Sequence, residues 1–254
     1  MRRLLISNDD GIGSPFLSRF LQAFAGAAWD ITAVLPASEQ SWIGRSYSRH
    51  KTLELKEAES PHKNVRVFTV NGTPSDCVNI ALGHLFDGAK PIAVVSGINI
   101  GQNIAMPLLW SSGTFAAAAE GAGWGLPAFA FSMQLASEYY EICRISHEPP
   151  PEKLDAILKK ACAFSEKFVS DSLGQKIPFG RVFNVNFPMD YSEETPLKKC
   201  VPAKAKLCPL YTKNPDGNFE FKYAIDASAA DAAVLTDMKC LKNGWASYSE
   251  IDLL

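Results

Sequence analysis

The chain has 254 residues and a mass of 27.7 kDa, the size of one large α/β domain or of a domain with an appended arm, and long enough to bury a core without disulfides. Hydrophobic residues at 47% and charged residues at 20% exclude a disordered chain. Lys and Arg number 25 against 27 Asp and Glu, a net charge of −2, which predicts no basic face for nucleic acid or an anionic membrane as partner.

In chain order, Arg2 and Arg3 precede an apolar run of only three residues, too short for the core of a signal peptide. No run approaches the ~18 apolar residues of a membrane span. Residues 3–7 read as a strand, and residues 16–25 place Phe16, Phe20, Leu21 and Phe24 at helical spacing. A strand over 31–35 stops at Pro36, a polar stretch follows, and 65–70 is again strand-like. Asn71-Gly72-Thr73-Pro74-Ser75-Asp76 then opens a helix, with Thr73 able to cap, Pro74 at the first helical position and Asp76 as a first-turn acid. Residues 92–96 form the most strand-like run, 113–123 a helix of small residues able to pack close to a sheet, and 128–132 the next strand. Apolar strands separated by helices predict a doubly wound, mostly parallel, Rossmann-like α/β sheet covered on both faces.

After about residue 135 the character changes. Glu148-Pro149-Pro150-Pro151 is a stiff turn, 151–171 an amphipathic helix and 182–186 a strand. Alternation from 196 to 225 predicts a β-hairpin extension turning at Asn214-Pro215-Asp216-Gly217-Asn218. Such a ribbon is marginal alone and is expected to pack on a partner subunit. Residues 227–233 read as small-residue filler and 236–241 as a short helix. The expected organisation is a single domain over 1–254, with a site-bearing core in 1–135 and a C-terminal part in 136–254. Six scattered cysteines without a C-x-x-C pair read as free thiols, which fits a reducing, cytoplasmic setting.

Three segments carry chemistry. Asp9 and Asp10 follow directly on the first strand, where an open parallel sheet presents its ligand crevice. Adjacent carboxylates there repel unless a cation neutralises them, which points to a hard divalent ion; a solvated turn before the next helix is the structural alternative. The second segment runs from Ser96 to Asn103 after a buried strand. Asn99 and Asn103 offer neutral polar ligands there, and Gly97 and Gly101 allow close backbone approach. Ser111-Ser112-Gly113-Thr114 stands ahead of the alanine-rich helix, suited either to an anion at a helix N-terminus or to ordinary capping. His50, His62, His84 and His147 have no catalytic partner in the sequence, and no G-x-x-x-x-G-K-[ST] or G-x-G-x-x-G occurs.

These segments resemble the survival-protein SurE phosphatases, metal-dependent 5′(3′)-nucleotidases. The opening run from Arg3 through Asn8-Asp9-Asp10-Gly11-Ile12 is similar to that family's first strand and acidic loop. Ser41-Trp42-Ile43-Gly44-Arg45-Ser46 is similar to its serine loop. Gly72-Thr73-Pro74-Ser75-Asp76, Ser96-Gly97-Ile98-Asn99 with Gly101 and Asn103, and Ser112-Gly113-Thr114 with Glu120-Gly121 follow in the family's order. Asn184-Val185-Asn186 with Pro188, Thr236-Asp237 and Gly244-Trp245-Ala246-Ser247 resemble its C-terminal marks. The likeness is dense over 3–133 and thin to about 248.

The resemblance implies one Mg²⁺ or Mn²⁺ ion per subunit on Asp9, Asp10, Ser41 and Asn99, with Asp9 or Asp10 assisting proton transfer. It implies phosphate contacts from Asn8, Asn103, Ser112, Gly113 and Thr114. It further implies a small phosphoester substrate, and a homodimer or dimer of dimers built on the hairpin and an exchanged C-terminal arm. Residues 104–111 depart from the family, being one residue longer and without an acid. The expected activity is hydrolysis of nucleoside monophosphates or related phosphoesters; the alternative is a phosphate- or nucleotide-binding protein on the same scaffold.

Overall fold

The computed structural model describes residues 2–27, 29–60, 62–226 and 233–253. Its centre is β1 (Arg2–Ser7), whose four residues Leu4 to Ser7 are fully buried and which pairs in parallel on both sides. On one side lie β2 (Trp29–Pro36), β4 (Val65–Val70) and the edge strand β3 (Leu55–Ala58), which runs antiparallel to β4. On the other lie β5 (Ala93–Ile100), β6 (Ala128–Met133) and β7 (Arg181–Phe187), all parallel. β13 (Ala246–Asp252) then pairs antiparallel to β7, and β8 (Leu197–Lys199) closes that edge. The nine strands form one mixed, mostly parallel sheet, to which the C-terminal part contributes three strands.

Helices cover both faces. On one, α1 (Leu17–Ala25) turns Phe20, Leu21 and Phe24 onto the sheet beside the long α6 (Glu152–Ser172). Phe20, Phe129, Phe131, Leu158 and Phe187 belong to this larger core, where each fully buried side chain contributes about 1.5–3 kcal/mol. On the other face, α2 (Pro74–His84) and α4 (Gly113–Gly123) cover Leu5, Val34 and Val94. The small residues of α4 permit a very close approach. A Cβ at Gly121 would lie 2.4 Å from Val94 Cγ2, so only glycine fits there.

The helix expected from Thr73-Pro74-Asp76 has the anticipated start. Thr73 accepts from the Asp76 N–H (3.1 Å) while Asp76 accepts from the Thr73 N–H (2.9 Å), a reciprocal capping box. Asp76 also accepts from the Ser48 N–H at 3.2 Å, so its carboxylate serves structure. Two expectations need correction. The strand expected to stop at Ser96 runs on to Ile100, because Asn99 and Ile100 pair with Ser132 and Met133 after a bulge. The hairpin expected over 196–225 is also shorter. Residues 197–199 join the main sheet, and the ribbon comprises β9 (Lys206–Leu207), β10 (Tyr211–Lys213), β11 (Phe219–Phe221) and β12 (Ile225–Asp226).

Its turn falls where expected, with the Asn214 N–H bonded to the Asn218 carbonyl at 2.8 Å. Residues 227–232 of the expected filler lie outside the described residues. The short C-terminal helix is α7 (Asp237–Lys242), capped by Thr236. Two single-turn helices, α3 (Met106–Leu109) and α5 (Ser137–Tyr140), and a π turn over Glu141–Ile145 were not foreseen. Among the described residues no helix is long and apolar enough to cross a membrane.

Candidate active site at the carboxyl edge of the sheet

The chain passes from β1 to β2 on one side and returns to β5 on the other, so the sheet's strand order reverses between β1 and β5. The two strands are in register, Ile6 opposite Val95 and Ser7 opposite Ser96, and their carboxyl ends therefore emerge together. Asp9 and Asp10 leave β1 at this point, and Asn99 lies at the end of β5. The loop after β2 is drawn in by a bond from the Gln40 N–H to the Asp9 carbonyl (2.8 Å), which brings Ser41 to the same place. Three of the four residues implied as metal ligands thus meet through sheet register and the fourth through one loop bond.

Both carboxylates are buried and supported from behind. Thr114 donates its hydroxyl and its backbone N–H to Asp9 at the start of α4, where the helix dipole favours an anion. A Cβ on Gly113 would sit 2.6 Å from Asp9 Cβ, so this approach requires glycine. Asp10 Oδ2 accepts from the Ile100 N–H at 3.1 Å. Its Oδ1 is paired with the buried guanidinium of Arg144, which also donates to Glu39 and to the Ser41 hydroxyl. Burial pushes the Asp9 carboxyl above the ordinary range, opposed by Thr114 and Arg144. Burial, then the charge of Asp9, pushes Asp10 up as well, with Arg144 again opposing.

A cleft of about 600 Å³ opens above these groups. Asp9, Ser41, Asn99, Asn103 and Ser112 line it. Asp10 lies behind Asp9 against Arg144. Asn8, Gly113 and Thr114 do not line the cleft. The Asn8 side chain bonds both backbone groups of Gly11 at 3.1 Å and so closes the acidic turn, while Gly113 and Thr114 seat Asp9. Ser112 caps α4, its hydroxyl accepting from the Phe115 N–H at 3.0 Å. Asn103 is fixed by its N–H to Asn186 (2.8 Å) and by its amide to Ser132 (2.9 Å).

The departing segment 104–111 is held from the far end of the chain. Buried Asp237 accepts from the Ala105 and Ala203 N–H groups, both at 2.9 Å. Arg144 and Glu39 are the charged neighbours that sequence reasoning missed. Neither sits in a motif, and only the tertiary fold carries the π turn to the acidic loop.

Among the described residues no group of three or more His, Cys, Asp or Glu side chains is placed to hold a metal. The donor set is instead two carboxylates with a hydroxyl and an amide oxygen. The Asn99 amide nitrogen donates to the Gly101 carbonyl (2.6 Å), which leaves its oxygen as the free end. These are hard oxygen donors of the kind Mg²⁺ and Mn²⁺ take. By donor chemistry the residues fit a divalent ion, and the Arg144 guanidinium supplies positive charge beside Asp10 and Ser41.

This defines an open, doubly wound α/β protein with a buried acidic pair beside a cleft at the switch point of its sheet. The chain belongs to the survival protein SurE family, whose model matches residues 4–213. The 5′-nucleotidase SurE of Myxococcus xanthus is 36% identical over 189 residues, 74% of this chain and 62%, less than two thirds, of that protein. The 5′-nucleotidase SurE of Cytophaga hutchinsonii is 33% identical over 247 residues, 96% of this chain and 88% of that one. The crystal structure of the SurE protein from Aquifex aeolicus shares the fold, with a TM-score of 0.74 over 99% of this chain and 94% of that chain at 24% identity.

Proposed function

We propose that this cleft is the active site of a metal-dependent phosphomonoesterase that releases phosphate from nucleoside monophosphates, a nucleotidase of the 5′ type. The observation that carries the reading is the buried Asp9–Asp10 pair, adjacent to a polar cleft and neutralised by a cation. Relatives named 5′-nucleotidase support the substrate class, and the family is metal-dependent. Asp9, Asp10, Ser41 and Asn99 would hold one Mg²⁺ or Mn²⁺ ion per subunit. When bound, such an ion polarises a phosphoryl oxygen and makes water a nucleophile near neutral pH.

The chain's own groups do the rest. Asp9 lines the cleft and Asp10 does not, so Asp9 is the carboxylate that a water in the cleft meets and the one placed to take its proton. Ser112, the cap of α4, and Asn103 both line the cleft and offer polar side chains to a phosphoryl group there. Gly113 and Thr114 contribute by fixing Asp9, and Asn8 by closing the turn that carries both acids. Val201 and Leu207 are exposed ahead of the cleft-lining part of the ribbon, apolar side chains that a second subunit would cover in a homodimer or dimer of dimers. The six unpaired cysteines suit a cytoplasmic setting.

The test is phosphate release from a panel of nucleoside monophosphates and p-nitrophenyl phosphate with Mg²⁺, Mn²⁺ or EDTA, on wild type and Asp10→Asn. We expect metal-dependent release that falls by about 10²–10³-fold in Asp10→Asn, with an unchanged circular dichroism spectrum. Full activity in Asp10→Asn, or release indifferent to EDTA, would sink the assignment.

A further inference from the structure

The cleft is larger than a phosphate needs, and its two ends differ in chemistry. Its floor is the polar set around Asp9, while its outer wall is aromatic: Trp42, Phe221 and Tyr223 on one side and Tyr140 on the other. All four are exposed, at 40%, 46%, 50% and 41%. They come from three distant parts of the chain. Trp42 directly follows Ser41, at a φ of 60°, a conformation rare for a bulky residue and here held by the fold. Phe221 and Tyr223 come from the ribbon, which reaches back so that their rings lie 4.8 and 6.0 Å from the Trp42 ring. Tyr140 stands over Gly101, beyond the end of β5.

Converging aromatic faces left open to solvent, next to a phosphate-sized polar floor, are what a base-stacking site requires. Stacking on an aromatic side chain tolerates every base because each has a π-face. A volume of about 600 Å³ lies within the range of small-molecule sites and accommodates a sugar and base beside the phosphate. Resting on the nucleotidase reading above, we propose that Trp42, backed by Phe221 and Tyr223, is the stacking platform for the nucleobase of a mononucleotide. The site then selects nucleotides over aliphatic phosphoesters through ring stacking. Purines, with the larger face, are the better substrates.

The experiment compares adenosine 5′-monophosphate with ribose 5-phosphate, which lacks the base, on wild type, Trp42→Ala, Trp42→Phe and Phe221→Ala, with Mn²⁺ present. The quantity read is the ratio of kcat/KM for the two substrates. We expect that ratio to fall about five- to a hundredfold in Trp42→Ala, through KM, to fall less in Phe221→Ala, and to recover in Trp42→Phe. A ratio that stays at the wild-type value in Trp42→Ala, both substrates losing equally, overturns the platform while leaving the nucleotidase reading intact. If wild type releases phosphate from neither substrate, that reading fails, and equilibrium binding decides the platform alone. Quenching of tryptophan fluorescence by adenosine 5′-monophosphate that is lost in Trp42→Phe supports it, and identical quenching in both proteins overturns it.

Discussion

Replacing Arg144 by Gln separates two roles that its guanidinium could play. The side chain is 8% exposed, and it pairs with Asp10, which is 1% exposed, as well as with Glu39 and Ser41. Removing one partner of a buried pair costs about 3–5 kcal/mol, because the remaining charge is left without a counterion. Asp10 can take up a proton instead, so the lower end applies, and about 3 kcal/mol corresponds to a fall of about 6–12 °C in Tm for a chain of this size. A divalent ion on Asp9, Asp10 and Ser41 would claim the same oxygens. The guanidinium would then have to move aside for it to bind, and Arg144 would act as a tethered competitor.

Arg144→Gln should accordingly melt lower than wild type in EDTA, yet bind Mn²⁺ at least tenfold more tightly by titration calorimetry, and show the larger rise in Tm on adding Mn²⁺. A deficit in Tm that is the same with and without Mn²⁺, together with unchanged or weaker Mn²⁺ binding, would refute the competition and leave Arg144 as a structural strut.

Two further outcomes follow from the supporting residues. Gly113→Ala forces a Cβ to within 2.6 Å of Asp9 Cβ, so it should displace the carboxylate, lowering kcat more than tenfold and weakening Mn²⁺ binding in calorimetry, with both intact if α4 simply shifts outward. Asp155 on α6 holds Arg19 on α1 through two bonds of 2.6 and 2.9 Å and Lys159 at 2.8 Å, and the bond from Arg19 keeps its carboxyl below the ordinary range. A depressed folded value means stability that is full above about pH 3.9 and is lost as pH falls through that lower value. Because Arg19 is a third exposed, the pairing contributes about 1 kcal/mol. Asp155→Asn should therefore melt about 2–4 °C below wild type at pH 7, and the gap should close in acid. A gap independent of pH would place the effect elsewhere than in the charge.

Much of the fold was legible because its signals are local. The strands of the core are short apolar runs, α1 shows its buried face at 17, 20, 21 and 24, and the Thr73 box announces a helix within four residues. What escaped notice depends on partners far along the chain. Leu55–Ala58 has little apolar content and is a strand only because β4 offers an open edge. Residues 97–100 look like a loop by composition, with two glycines nearby, and are held as strand by Ser132 and Met133 of β6. In the site, the acidic pair was readable from its position after β1, since sheet topology alone exposes that point. Ser41 was accessible only through family resemblance, a serine in a polar loop having no periodicity to mark it. Arg144 had no signal at all. It acts across 134 positions of sequence, and no window around it distinguishes it from an ordinary surface arginine.

The same geometry explains why these residues surround the pair so completely. Two adjacent buried carboxylates disfavour folding, and the chain opposes that with the start of α4 behind Asp9, and with the Ile100 N–H and the Arg144 guanidinium on Asp10. The first two are backbone features fixed by the sheet and the helix, and they remain in place whatever occupies the cleft. Arg144 stands on the π turn that continues α5 beyond the end of β6, and so is held by neither the sheet nor α4. On the metal reading proposed above, a cation carried there could yield its place without moving the sheet or α4. Arg144 would then serve to keep the acidic pair folded when no metal is bound, which the Arg144→Gln comparison with and without Mn²⁺ tests directly.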